Sequence, residues 1–111
     1  MYTRQELNAI DRSYFEVIIA DEYEVTLMSR NTRHVWHLRN VELPDGEVTV
    51  VLHKHQVSDP YHVHGRSRTM KQAIRYIKKH DLFQMNGRKL DLTNFRCLRL
   101  LKVMIMALIF L

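Results

Sequence analysis

Cysteine, glycine and proline are scarce in this chain: one, three and two residues among 111. The lone Cys97 cannot close an internal disulfide, so nothing points to an oxidising compartment and a cytoplasmic location is expected. Three glycines and two prolines exclude collagen-like and low-complexity chains, and no repeat recurs at a solenoid period. The first residues, Met-Tyr-Thr-Arg-Gln-Glu, lack the apolar run of a secretory signal. Also missing are a nucleophile elbow, a phosphate-binding glycine loop and a carboxylate pair at useful spacing. Cys97 falls in an apolar stretch where a thiol is usually inert packing. An enzyme is therefore the weaker reading, and no cofactor is implied.

What remains is ordinary globular material, 46% hydrophobic and 26% charged, enough for one modest core. The formal net charge of +5 is unevenly spread. Residues 1–32 carry three Arg against six acids, residues 33–80 nine Lys and Arg against four, and residues 81–111 five against two. A basic middle and end raise the expectation of an anionic partner.

Along the chain, Thr3 with Glu6 forms a capping box for a short helix whose apolar side is Leu7 and Ile10. Tyr14 to Ala20, rich in aromatic and β-branched residues, reads as a strand with Phe15, Val17 and Ile19 on one face. Tyr23 to Arg30 alternates, with Val25 and Leu27 opposite in facing to Glu24 and Thr26. Turn lengths then set the register of the later strands. A two-residue loop at Asn31-Thr32 pairs Leu27 with Trp36, Val25 with Leu38, Thr26 with His37 and Glu24 with Arg39. A three-residue loop at Pro44-Asp45-Gly46 pairs Leu38 with Leu52 and His37 with His53. A four-residue loop from Val57 to Pro60 pairs His53 with His64 and His55 with His62.

In that register Val48, Val50, Leu52, Tyr61 and Val63 share the buried face. His37, His53, His55, His62 and His64 then form one patch on the other face, flanked by Arg39 and Arg66. Thr69 to His80 supplies the cover: Thr69 with Gln72 caps a helix whose Met70, Ala73, Ile74 and Ile77 form a buried stripe. Arg68 before it and Lys71, Arg75, Lys78 and Lys79 on it take the solvent side. Together these features define an α+β fold: short helix, antiparallel meander of about five strands, covering amphipathic helix, and an appended apolar helix. The expected organisation is one compact domain over 1–87 and a basic, then apolar, helical tail over 88–111. The tail ends in nine apolar residues, Val103 to Leu111, too few to span a bilayer, which needs about 20. It suits burial, a homo-oligomer contact or a protein partner.

Three functions fit. The first is a non-enzymatic module binding nucleic acid or another polyanion through the sheet face (His37, Arg39, His53, His55, His62, His64, Arg66) and the basic helix (Arg68, Lys71, Arg75, Lys78). The helix–strands–helix order is superficially that of a double-stranded-RNA-binding domain. Ser67-Arg68-Thr69-Met70-Lys71, however, lacks that family's paired lysines, and five strands are too many. The second is an interaction module assembling through the sheet and the apolar tail. The third is a metal site, for which His53, His55 and His64 are the candidate ligands and the neighbouring Arg39 and Arg66 the objection, since fixed cations oppose a dication.

Overall fold

A computed structural model describes residues 1–87. The tail, with every expectation placed on it, lies outside the described residues. Met1–Asp81 make one compact unit, and a second unit starts at Leu82. The elements run in the order α1 (Arg4–Asn8), β1 (Phe15–Ala20), β2 (Glu24–Ser29), β3 (Val35–Leu43), β4 (Gly46–Lys54), β5 (His62–Ser67) and α2 (Met70–Met85). The strands form one antiparallel meander in sequence order, as expected of an α+β chain with hairpin-length connections. Among the described residues no helix is long and apolar enough to cross a membrane.

Both helix starts are set locally. The Glu6 N–H donates to Thr3 Oγ1 at 3.1 Å and the Thr3 N–H donates to Glu6 Oε1 at 3.0 Å, a complete capping box. At α2 the Gln72 N–H donates to Thr69 Oγ1, while the Gln72 side chain accepts from the N–H of Arg68, one residue earlier than the usual partner. Met70, Ala73 and Ile77 are buried and Ile74 packs against them, as the 3.6-residue period requires. The stripe joins Tyr2, Ile10, Phe15, Val25, Leu27, Trp36, Leu38 and Val51 in one core, so both helices cover the same sheet face.

The β2–β3 register is the expected one, with Leu27 opposite Trp36 and Val25 opposite Leu38. The loop is wider than two residues: the Ser29 N–H donates to the His34 carbonyl, and Arg33 takes a positive φ of 64°. In β1 a bulge between Val17 and Ile19 sets Ile19 opposite Thr26, leaving Ile19 exposed rather than aligned with Phe15 and Val17.

The decisive correction is at Pro44. Gly46 does not belong to a three-residue loop; with φ at 131° it enters β4 and pairs with Leu43, leaving Pro44-Asp45 as a two-residue turn. That φ is a backbone conformation only glycine adopts without strain. The one-residue difference reverses every side chain of β4 relative to β3. Trp36 opposes His53, Leu38 opposes Val51 and His37 opposes Leu52. Thr49, Val51 and His53 therefore face the helices and are buried, while Val48, Val50 and Leu52 face the other way. Thr49 tolerates burial because its hydroxyl is hydrogen-bonded to Tyr2 Oη at 2.9 Å.

The last hairpin is also corrected. β4 ends at Lys54 and β5 begins at His62, so His55 lies in the loop and His53, not His55, opposes His62. Paired contacts Gln56 N–H to Asp59 Oδ2 and Asp59 N–H to the Gln56 carbonyl close a turn inside that loop. A bulge then sets Gly65 opposite Val51 while Val63 opposes Leu52, with His64 as the extra residue.

Candidate functional site

The single histidine patch does not form. His37 is on the face away from the helices, where its Nδ1 contacts Thr26 Oγ1 at 2.8 Å and its Nε2 lies 3.6 Å from the Glu24 carboxylate. Arg39 meets the same carboxylate at 3.4 Å, and Arg66 opposes Val50 on that face. Arg68, Lys71 and Arg75 are exposed at the start and along the outer side of α2. Lys78 is half-buried, 3.9 Å from Asp11 and 4.9 Å above the Tyr14 ring.

The other histidines gather on the helix-covered side around Trp36. His53 is 1% exposed and its ring lies 4.1 Å from the Trp36 ring. Its Nε2 is 3.0 Å from His34 Nδ1 and its Nδ1 is 3.3 Å from His62 Nε2. His55 reaches back from the loop to stack on His34 at 4.4 Å. The bulge carries His64 to 5.6 Å from Trp36 and 5.2 Å from His53, and its Nδ1 is hydrogen-bonded to Tyr76 Oη of α2. His80, also on α2, comes within 5.0 Å of His53 and 4.6 Å of His64, ring to ring.

Sequence reasoning had His53, His55, His62 and His64 together and missed His34 and His80. Both carried a signal. His34 stands two residues before Trp36 and so shares its facing on a strand, while His80 continues the Ala73–Ile77 stripe of α2.

A buried carboxylate fixes the frame of this cluster. Asp81 is fully buried; Tyr14 Oη donates to it at 2.7 Å and Thr32 Oγ1 donates at 3.0 Å. The Thr32 hydroxyl in turn accepts the His34 N–H at 3.2 Å. The turn bearing His34 is thus tied to the helix residue next to His80. Burial, then the hydrogen bond to Asp81, pushes the Tyr14 phenol upward, so Tyr14 stays a donor.

Electrostatics keep the cluster's centre neutral. Burial, reinforced by repulsion from His34, His80, His64 and His55, lowers the His53 pKa to about 3. Burial and repulsion from His62 also lower His64, partly offset by a backbone hydrogen bond. Their imidazoles therefore keep lone pairs at neutral pH, the state that ligates metals.

Among the described residues, two sets of three histidines place one ligand nitrogen each within 4.8 Å of one another: His34, His53 and His80, and His53, His62 and His64. The sequence-based set of His53, His55 and His64 is corrected in one member, because the loop takes His55 out of the row and the strand pairing brings His62 in. The objection raised by Arg39 and Arg66 falls with the register, since both lie across the sheet from these rings. No protein-family model, curated protein or solved structure matches this chain.

Proposed function

We propose that this protein is a small binding module for a divalent transition-metal ion, zinc or copper, held by the histidines around Trp36. The observation that carries the reading is the convergence of His53, His62 and His64 nitrogens within 4.8 Å. Three imidazoles with an open fourth position suit Zn²⁺, and imidazole is equally a ligand for Cu²⁺. The Tyr76 hydroxyl on His64 Nδ1 is the kind of outer partner that orients a ligating ring and leaves Nε2 for the ion. Trp36, the only tryptophan, lies against His53 and gives a built-in fluorescence readout. Titrating chelator-treated protein with Zn²⁺ or Cu²⁺ should change that fluorescence saturably. Affinity should fall at least about tenfold in His53→Phe, which removes the ring common to both three-histidine sets. Unchanged affinity in that variant, or no saturable binding, would overturn the reading.

A second reading, binding of nucleic acid or another polyanion, is favoured by one observation on α2. Lys71, Arg75 and Lys79 are exposed at four-residue spacing along α2, Arg68 is exposed just before it, and the only acid in the helix, Asp81, is buried. On this reading His37, Arg39 and Arg66 form a separate surface, and His53 takes no part. Oligonucleotide binding at two salt concentrations tests it, because phosphate contacts make affinity fall steeply with salt. A chain that binds neither metal nor oligonucleotide would be left as an interaction module.

A further inference from the structure

His53 is the member common to both three-histidine sets, and it turns one nitrogen to His34 and the other to His62. Its Nε2 faces His34 Nδ1 at 3.0 Å, and its Nδ1 faces His62 Nε2 at 3.3 Å. The two lone-pair directions of an imidazole leave opposite edges of the ring, so an ion seated between His53 and His34 is not the ion seated between His53 and His62. We infer that the cluster is a two-ion centre bridged by the His53 ring, with His34 and His80 completing one site and His62 and His64 the other. The inference rests on the metal-binding proposal and adds ion number and bridge to it.

The spacing fits. Two nitrogens bound to one tetrahedral Zn²⁺ at 2.0–2.1 Å sit about 3.3 Å apart. The 3.0 and 3.3 Å separations already match, and the wider members of each set, up to 4.8 Å, need closure of about 1.5 Å by side-chain rotation. Trp36 backs His53, and its ring also meets His64 and His80 edge-on, so the bridging ring is braced from one side. The sites differ in access: His62 is exposed, whereas His34 and His80 are half-buried.

The proton balance is simple. Neutral His53 carries one N–H, shared with either His34 or His62; the second ion displaces that proton to solvent, and the ring binds both ions as imidazolate. No oxidant or reductant is involved.

Copper distinguishes the arrangements, because an imidazolate bridge couples two Cu²⁺ spins and isolated ions do not. Full-length protein, stripped with chelator and reloaded with Cu²⁺, should retain two ions per chain. Its doubly integrated low-temperature EPR signal should then drop below that of the singly loaded protein. His34→Ala/His80→Ala and, separately, His62→Ala/His64→Ala should each retain one ion with a full, uncoupled signal. Both variants spare the buried bridge, and their circular dichroism should match the parent. Two ions with additive signals would overturn the bridge, and one ion per parent chain would overturn the two-ion centre while leaving the metal reading intact. Failure to retain any copper would overturn the two-ion centre, and the absence of saturable Zn²⁺ binding as well would overturn the metal reading with it.

Discussion

Mild acid should destabilise the metal-free protein chiefly through one residue, and the size of the effect is set by where β4 places His53. Its ring is buried among Trp36 and five other histidines, and burial with repulsion from His34, His80, His64 and His55 holds its pKa at about 3, against 6.5 for an ordinary histidine. Between those values the unfolded chain binds a proton that the folded chain refuses. Stability therefore rises with pH across this window; it is fully present above about 6.5 and is lost as pH falls toward 3. From pH 7.5 to pH 5 the affected span is about 1.5 pH units below 6.5, worth about 2 kcal/mol from His53 alone. His64, lowered for the same reasons, adds in the same direction. The carboxylates held below their usual range, Asp11, Asp21 and Glu47, act only at lower pH and do not confuse this window. The assay is urea unfolding at both pH values in the presence of chelator, followed by Trp36 fluorescence. His53→Phe keeps a ring against Trp36 and removes the titration, so its stability should lose about 2 kcal/mol less than the parent over the same interval. Parallel curves for the two proteins would refute the argument.

Ile77→Asp, which sets a carboxylate in the core that also holds Trp36 and Val51, should cost about 4 kcal/mol or more and abolish the cooperative unfolding transition, whereas exposed Lys71→Ser should stay within about 0.5 kcal/mol. Asp81→Ala strips the Tyr14 and Thr32 hydroxyls of their acceptor and should lower stability by about 1–3 kcal/mol in the same assay; it should also weaken metal binding, since Thr32 anchors His34. Gly46→Ala forces a side chain into φ 131° and should cost about 1–3 kcal/mol, measured by thermal unfolding; no loss would mean that residue 46 does not hold this conformation in the β3–β4 turn. If the exposed basic row of α2 binds polyanions, Lys71→Ala/Arg75→Ala should reduce the salt slope of oligonucleotide affinity by about 1–2.

Local signals determined a good deal of this fold. Capping boxes at Thr3 and Thr69, the Met70–Ala73–Ile77 stripe and the alternation of β2 are short-range patterns, and each element forms where its pattern lies. The β2–β3 register was also legible, because a two- and a four-residue loop centred on Asn31-Thr32 give the same pairing. That histidines at 53, 55, 62 and 64 would meet was implied by their clustering beside one turn. Which face they occupy was not. β4 alternates two apolar-rich sets, Val48-Val50-Leu52 and Thr49-Val51-His53, and hydrophobicity alone favours burying the first. The choice was made by Gly46 pairing with Leu43, a difference of one residue in a turn, together with partners distant in sequence: Tyr2 for Thr49, His34 and His62 for His53. Burial of a histidine is acceptable only when such partners satisfy its nitrogens, and those of His53 come from the β2–β3 turn and β5. Their convergence on Trp36 is a property of the packed chain, since strand pairing and helix docking bring together residues that no sequence window contains.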